Sequence, residues 1–510
     1  MNRRRALVQY HFTLESHPSF SIISYWKRLR IIQEAQECYH RNMSAARKRP
    51  SLNRFRTVAS ILALACCLRL GLFLVVAPHP ERFFSPDTIT YVTFAYVIFG
   101  SDFAEAFAPG EGELFDLSLN RTPGYPLLIH SVYALVGAAP SVVVLVQIAF
   151  GVATVWLTYL AGLRLFDRQA AWLAALALAV DPISIIMTNY LQPESFFTFV
   201  LVAGSLCWWR ALRERSLWWS AGAGMVLGAS TLIRPVALYL PVVLVSVGLI
   251  LQDSRWPTRL VRTGVFLLAF ALPVGGWIAR NYAVTGVPIF TTVEGKDLVN
   301  TRAVGAMAEE EHISLEEARR RLRESLRSRT REGMNRGQIS RLETSLAFET
   351  FAQYPWGTVV TFIKGAGRLL VGPGRAELLR LLGAPRPTTI ETGLHAVLVG
   401  MEIVVLGLIM FGAVLGGYRL LRSRRYIELV AVLIFIFYFV AISSGLQAYS
   451  RLRAPIMPYF ALLAGCAFAS RRGPWLGFWK PTTTDRDAPE EAQATRQSHG
   501  RNNHNTVPDA

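Results

Sequence analysis

The sequence predicts an all-α polytopic membrane protein with about ten and at most about twelve transmembrane helices. Its 510 residues are 52% hydrophobic and only 17% charged, which is too apolar for a soluble protein of this length. Many apolar segments have the roughly 17 to 25 residues that a helix needs to cross a bilayer. Basic residues cluster beside these segments, as expected for cytoplasmic loops.

Ten segments qualify as spans, at residues 57–77, 140–163, 170–188, 194–211, 217–234, 235–251, 263–280, 392–416, 427–443 and 453–470. With ten spans, the arginines of four short connections, among them Arg164, Arg213 and Arg259, fall on the cytoplasmic side. Two further apolar runs, 124–137 and 358–372, are too short or too charged to cross. They are predicted to lie at the membrane interface or to re-enter it.

The spans divide the chain into a basic cytoplasmic N-terminal segment, a transmembrane core with an outer loop, an outer helical region, C-terminal transmembrane helices and a disordered cytoplasmic tail. Their predicted bounds are 1–56, 57–280 with the loop at 78–139, 281–391, 392–472 and 473–510. The N-terminal segment holds twelve Lys or Arg against three Glu and lacks the apolar core of a signal peptide. In the outer region, Ser314 and Glu317 have the spacing of a helix capping box.

Charge and cysteine content exclude two classes of protein. The formal net charge of +18 could suggest nucleic acid binding, but the basic residues lie beside apolar segments, where they meet anionic lipid. We therefore expect membrane lipids and no nucleic acid as partners. Four of the five cysteines, Cys66, Cys67, Cys207 and Cys466, lie in apolar runs, so a disulfide framework is not expected.

Polar residues recur where the predicted spans meet the outer face. They are Asp87 and Tyr91 in "SPDTITY", Arg121 and Tyr125 in "NRTPGYP", Glu194 in "QPES", Arg234 in an Arg-Pro turn, Arg280 and Asn281 in "IARNY", and Arg451 and Arg453 in "YSRLRAP". Singly, an acid could stabilise a helix N-terminus, a tyrosine could belong to an aromatic belt and an arginine could snorkel. Arginines on an outer face nevertheless run against the positive-inside tendency, which indicates an anionic partner.

The combination suggests a chemistry that the single residues do not. Ionisable residues at membrane depth are costly and are functional candidates by default. A carboxylate can accept a proton from an attacking hydroxyl, and guanidinium groups can bind a departing phosphate. The set therefore fits a site that handles an anionic lipid head group while activating a hydroxyl.

The ordered set resembles the GT-C glycosyltransferases. An acid and a tyrosine follow the first span, then come R-x-P-G-Y-P, "ES" after the third span, an Arg-Pro turn and W-x-x-R-N-Y at the end of the seventh. Within that superfamily the chain is most similar to the bacterial family 39 and lipid A aminoarabinose-transferase group, which is related to protein O-mannosyltransferases. The resemblance runs from about Thr57 to Tyr282, with a weaker echo in "YSRLRAPIMPYF".

The resemblance implies a multi-pass enzyme of the inner (plasma) membrane with its site facing the periplasm or exterior. Such enzymes transfer a sugar from a polyprenyl-phosphate donor, with inversion, to a lipid, glycan or protein acceptor. It implies that Asp87 is the general base, or orients the acceptor hydroxyl, and that Glu194 binds acceptor or sugar. By the same resemblance the carrier phosphate would be held by Arg280, Arg121, Arg451 and Arg453, and the sugar pocket would be shaped by Tyr91 and Tyr125. Arg234 and Asn281 are further predicted substrate-binding residues.

One departure from the pattern concerns metal ions. Many relatives carry a second acid directly after the first-loop aspartate, whereas Thr88 follows Asp87 here. A lone carboxylate is a poor divalent site, so no cofactor is assigned, and use of Mg²⁺ or Mn²⁺ is left open. The departure also weakens an assignment to protein O-mannosylation specifically.

Two other functions are compatible with the sequence. A transporter or flippase of a lipid-linked or anionic substrate should carry charged residues near the bilayer midplane. Glu402 fits that description, whereas the other ionisable residues gather at one edge, which favours catalysis. A non-catalytic partner in envelope polysaccharide assembly would tolerate loss of Asp87.

Overall fold

The structure, a computed structural model, describes residues 50–99, 113–251, 255–384 and 393–468. All regular elements in these ranges are helices, as predicted. Most of the predicted N-terminal segment and all of the predicted tail lie outside the described residues. The chain divides into two units, Met1–Leu68 and Arg69–Ala510, and the described part of the first is the beginning of one long helix. The site belongs to the second unit.

The helices before the outer region are α1 (Pro50–Val76), α2 (Thr88–Phe99), α3 (Glu113–Asn120), α4 (Gly124–Val136), α5 (Pro140–Leu165), α6 (Arg168–Ala179), α7 (Pro182–Thr188), α8 (Glu194–Glu214), α9 (Leu217–Ile233), α10 (Leu240–Leu251) and α11 (Trp256–Thr285). The outer region contains α12 (Val293–Asp297), a π turn (Leu298–Ala303), α13 (Val304–Glu311), α14 (Leu315–Arg329), α15 (Arg336–Gln353), α16 (Pro355–Val371) and α17 (Arg375–Leu381). The last helices are α18 (Gly393–Arg422), α19 (Tyr426–Ser443) and α20 (Met457–Phe468), with 3₁₀ turns at Pro80–Phe83, Pro235–Ala237 and Ser450–Ile456.

Six helices in the described ranges are long and apolar enough to cross a membrane, and the bent pair of α6 and α7 makes a seventh if it is one span. The six are α1, α5, α8, α11, α18 and α19. The protein is therefore a multi-pass membrane protein. The predicted count of ten spans is not confirmed, because α9 and α10 are apolar but shorter than a full crossing, and α20, within the predicted span 453–470, has 12 described residues.

The predicted span 170–188 is broken into two helices at an angle of 55°. Pro182 has no N–H for the helix ladder and disfavours helical backbone at the residue before it. The Asp181 carboxylate accepts hydrogen bonds from the Ser184 N–H at 2.9 Å and the Ser184 hydroxyl at 2.5 Å, which caps α7. The length of this apolar segment predicted one continuous span. In the structure the helix bends at the Asp181–Pro182 step.

Small residues let α9 and α11 approach closely. A side chain at Gly224 would collide with the Phe266 carbonyl, and one at Gly228 would lie 2.7 Å from the Phe270 carbonyl oxygen. Gly224 and Gly228 are four residues apart, so they face the same partner. This is the small-residue spacing that allows helix backbones to pack tightly in membranes.

The outer region has a hydrophobic core of its own, which its sequence did not clearly predict. Ten buried residues form this core: Leu298, Val299, Ala303, Val304, Met307, Ala308, Ala318, Leu322, Leu346 and Ala347. The predicted cap at Ser314 is present, since its hydroxyl accepts the Glu317 N–H at 3.1 Å. Exposed ion pairs also form along α14, with Arg320 bonded to both Glu317 and Glu324.

The two runs predicted to be interfacial become α4 and α16, and neither is one of the span-length helices. In α16 the Lys364 ammonium lies 2.8 and 2.7 Å from the two carboxylate oxygens of Glu309. Trp356 and Ile363 of the same helix are exposed. An apolar exposed side combined with a paired charge is typical of a helix at a membrane surface.

The close packing of α9 against α11 predicts that one added methyl group lowers the unfolding free energy at one glycine of α9 and not at another. Gly224→Ala should lower the unfolding free energy by about 1–3 kcal/mol, because the new Cβ meets the Phe266 carbonyl. Gly222→Ala is the matched control, since nothing lies within 4 Å of its Cβ position and alanine favours helix. Thermal unfolding in detergent would compare them. Equal unfolding midpoints for the two variants would contradict the close approach of α9 and α11.

Candidate functional site

Five separate segments of the chain bring charged side chains to one place. Asp87 immediately precedes α2, and its carbonyl oxygen accepts hydrogen bonds from the N–H and hydroxyl of Thr90 at 3.2 and 2.7 Å. Arg121 follows α3, Glu194 begins α8, Arg234 follows α9, and Arg451 lies in the 3₁₀ turn before α20. These residues are far apart in sequence, and the helix ends that carry them meet.

Arg451 connects the two acids. Its Nη1 lies 2.9 Å from Oδ2 of Asp87, and its Nε donates to Oε1 of Glu194. The Arg451 side chain is only 12% exposed. One guanidinium therefore compensates two carboxylates, one from the loop before α2 and one from the start of α8.

Glu194 is completely buried beneath the arginines. Its Oε1 accepts a second hydrogen bond from Nη1 of Arg234 at 2.8 Å, while its side chain is 0% exposed. Its Oε2 has no hydrogen-bond partner among the described residues. A buried carboxylate is tolerated when charged partners compensate it, and here there are two. Glu194 thus holds the arginines and does not itself line the adjoining cavity.

Asp87 is the accessible acid, with 40% of its side chain exposed. Burial alone would raise the pKa of its carboxyl, but Arg451 and Arg121 outweigh that effect and hold the pKa below the ordinary value. Nη2 of Arg121 lies 3.3 Å from Oδ1, so both oxygens face a guanidinium. Asp87 is therefore ionised at neutral pH.

Aromatic side chains adjoin the ion pairs. The Arg121 guanidinium lies 4.5 Å from the ring centre of Tyr91 and donates from Nε to the Thr90 hydroxyl at 3.0 Å. Tyr91 packs edge to face against Tyr125 at 5.2 Å. The Tyr125 hydroxyl donates to the side-chain oxygen of Gln147 at 2.6 Å. These contacts fix the orientation of Arg121 and Tyr91 before any ligand arrives.

The ion pairs form one wall of a cavity of about 410 Å³. Five of its lining residues are cationic, Arg121, Arg234, Lys296, Arg302 and Arg451, and three are anionic, Asp87, Glu294 and Asp297. The lining also contains the aromatic residues Tyr91, Tyr239, Tyr449 and Phe439. A cavity with excess positive charge and aromatic walls is suited to an anionic ligand that also carries a ring.

The outer region supplies the opposite wall, which the sequence did not reveal. Oε1 of Glu294 accepts from the Tyr239 hydroxyl at 2.7 Å, and Nη2 of Arg302 donates to the Ile442 carbonyl at 2.5 Å. Burial raises the pKa of the Asp297 carboxyl, although Arg302 opposes the shift. The acid-rich stretch "TTVEGKD" soon after "IARNY" was a signal that could have identified this wall.

Three predicted site residues make their contacts elsewhere. Arg280 donates from Nη2 to the Ser118 hydroxyl at 2.8 Å and from Nη1 to Oδ1 of Asn281 at 2.9 Å. Asn281 in turn donates to the Phe290 carbonyl at 2.9 Å, which anchors the chain after α11. Arg453 is 1% exposed, and its Nη1 donates to the Leu369 carbonyl at the end of α16. None of the three lines the cavity.

The donor set does not favour a divalent metal ion. Both oxygens of Asp87 face guanidinium groups, and Glu194 is buried behind two arginines. Among the described residues no three His, Cys, Asp or Glu side chains gather as metal ligands. Hard cations prefer several oxygen ligands. The site geometry therefore provides no step through a metal ion.

Sequence comparison matches part of the predicted transmembrane core to a known protein family. Residues 120–277 match the family model described as Dolichyl-phosphate-mannose-protein mannosyltransferase. This match confirms, over that range, the predicted resemblance to membrane glycosyltransferases. The chain is also 32% identical over 107 residues to a Bacillus subtilis (strain 168) protein named "Putative mannosyltransferase YycA", which covers 21% of this chain and 16% of that protein.

Two solved structures are similar over much of the chain. The apo oligosaccharyltransferase of Archaeoglobus fulgidus has a TM-score of 0.47 and 15% identity, covering 80% of this chain and 50% of that one. The apo ArnT of Cupriavidus metallidurans has a TM-score of 0.34 and 15% identity, covering 77% and 76%. The chain thus spans about half the length of the oligosaccharyltransferase. Both TM-scores are below 0.5, so function rests on the site and the family match.

The double pairing of Glu194 predicts a stability effect. Glu194→Leu should lower the unfolding free energy by about 3 kcal/mol, because two buried guanidinium groups lose a carboxylate. The exposed Glu316, in the first turn of α14, is the control, and Glu316→Leu should change stability by less than about 1 kcal/mol. Thermal unfolding in detergent measures both. A Glu194→Leu protein as stable as the wild type would show that the buried pair does not form.

Proposed function

We propose that this protein is an integral-membrane glycosyltransferase that uses a polyprenyl-phosphate sugar donor. It transfers the sugar, with inversion at the anomeric carbon, to a lipid, glycan or protein acceptor at the non-cytoplasmic face of the inner membrane. The observation that carries the proposal is the shared cavity of Asp87, Arg121, Arg234 and Arg451. The family match over residues 120–277 supports it independently.

The arginines are assigned to the donor phosphate. Arg121, Arg234 and Arg451 line the cavity, and guanidinium groups bind phosphate oxygens in a bidentate manner. Preorganised positive charge stabilises the phosphate as it leaves the sugar. The phosphate role predicted for Arg280 and Arg453 stays a prediction, and their protein partners make them weaker candidates than the cavity arginines.

Asp87 is assigned as general base. In the transfer step the acceptor hydroxyl oxygen attacks the anomeric carbon, and the carbon–oxygen bond to phosphate breaks with its electron pair on the phosphate. Asp87 takes the hydroxyl proton, and polyprenyl phosphate leaves as the anion. Attack from the face opposite the phosphate gives inversion.

The ion pairs of Asp87 make its basicity depend on whether the donor is bound. A carboxylate with two guanidinium partners is a weak base, since its charge is already compensated. A donor phosphate would compete with Asp87 for Arg451 and Arg121. Transfer of either guanidinium to phosphate would raise the pKa of Asp87 and make it a better proton acceptor only when donor is bound.

The sugar and acceptor would occupy the rest of the cavity. Tyr91, Tyr239 and Tyr449 offer aromatic faces to a sugar ring, and Glu294 and Asp297 offer acceptors to hydroxyl groups. The printed family and relative names make a mannosyl donor the first to assay.

Transport is less well supported than catalysis. The midplane candidate Glu402 is 2% exposed, and its Oε1 accepts the Gly374 backbone N–H. A transported substrate needs ionisable groups that open to a pathway. Glu402 is instead enclosed by protein.

Asp87→Asn tests the proposal in membranes or nanodiscs. Loss of the base should reduce transfer of labelled sugar from a polyprenyl-phosphate donor by about 10²- to 10⁴-fold. Glu81→Gln is the control, because Glu81 is an exposed acid of the same outer loop that lies 3.3 Å from Nδ1 of His79 and does not line the cavity. Near-normal transfer by Asp87→Asn, with a wild-type unfolding midpoint, would reject Asp87 as the general base.

A further inference from the structure

A second set of buried charges lies apart from the cavity and has no part in the proposed transfer step. Glu402, Arg453 and Asp181 are 2%, 1% and 1% exposed. They come from α18, the 450–456 turn and the bend before α7. Arg453 interacts electrostatically with both acids and with Glu377. Burying charged side chains at membrane depth costs free energy, so the presence of these three residues needs a physical explanation.

Arg453 and Arg451 lie two residues apart and face different surroundings. Arg451 lines the cavity and bonds to Asp87 and Glu194. Nη1 of Arg453 instead donates to the carbonyl oxygens of Leu369 at 2.9 Å and Gly372 at 2.8 Å, at the end of α16. The Arg453 contacts therefore attach the turn that carries Arg451 to the end of α16.

Glu402 binds the backbone just after the end of α16, close in sequence to the carbonyl groups that Arg453 contacts. Its Oε1 accepts the Gly374 N–H, while its Oε2 has no hydrogen-bond partner among the described residues. A Cβ at Gly374 would lie 3.0 Å from Oε1 of Glu402 and 3.6 Å from the Ser450 hydroxyl oxygen. Backbone at Gly374 is thus enclosed by α18 and by the first residue of the 450–456 turn.

We propose that Glu402 is a positioning residue that, with Arg453, fixes the 450–456 turn and so places Arg451 against Asp87 and Glu194. Glu402 never touches the cavity. It acts by holding Gly374, next to which Ser450 and Arg453 are anchored. The Ser450 hydroxyl also lies 3.3 Å from Oε2 of Glu377, which adds a second attachment of the turn to α17.

Hydrogen–deuterium exchange tests this placement without any substrate. In nanodiscs, Glu402→Leu should speed exchange about tenfold in peptides covering 372–381 and 448–456. Glu402→Gln keeps an oxygen for the Gly374 N–H and should give a smaller increase. Glu428→Leu is the control, since Glu428 is also buried, at 5% exposure, and ion-paired, but to Arg425 at the start of α19.

The outcomes of the exchange experiment separate local from global effects. Faster exchange confined to the two peptides in the Glu402 variants supports the proposal. Wild-type exchange in Glu402→Leu, or equally fast exchange in Glu428→Leu, would overturn it. This result does not depend on the identity of the donor or on the transferase assignment.

A double-mutant cycle tests the link to Arg451 and rests on the proposed function. If Glu402 acts through Arg451, Glu402→Leu should lower transfer strongly in the wild type but by less than about twofold in an Arg451→Gln background. Additive losses would contradict the link. If no variant or wild-type protein shows transfer, the proposed function fails while the exchange result still decides the placement of the turn.

Discussion

The site depends on the guanidinium of Arg451, which is shared between two carboxylates. Without it, the fully buried Glu194 would keep Arg234 as its one ion-pair partner among the described residues, and Asp87 would keep Arg121. Buried carboxylates are strongly destabilising unless they are paired. The pairing therefore constrains three elements at once, because the loop before α2, the start of α8 and the 450–456 turn must all meet at one guanidinium.

Irregular backbone is concentrated around this meeting point. A 3₁₀ turn follows Arg234, a π turn at Leu298–Ala303 forms part of the cavity wall, and Arg451 lies in another 3₁₀ turn. Non-helical backbone at membrane depth is tolerated where protein or a cavity surrounds it. The breaks thus serve to bring helix ends and their polar side chains together, while close helix contacts such as that at Gly224 hold the bundle around them.

The sequence predicted the apolar helices better than the contacts between them. The segment 140–163 corresponds closely to α5, and the Ser314 cap forms as expected, because both depend on local sequence. The bend at Asp181 and the burial of Glu194 depend on neighbours that are distant in the chain. Likewise, no local signal distinguishes Arg451, which faces the cavity, from Arg453, which caps α16 two residues later.

The site is expected to bind one phosphate-linked sugar, with Asp87 and the arginines in contact with it and with Glu194 holding Arg451 and Arg234 in place. The most direct measurement is a cryo-electron microscopy structure in nanodiscs with a non-transferable polyprenyl-phosphate sugar analogue. The account predicts phosphate oxygens roughly 2.7–2.9 Å from the Arg451 guanidinium, with the sugar beside Asp87 and Tyr91. Phosphate bound away from Arg451, or Asp87 and Glu194 that do not share this arginine in the free protein, would contradict it.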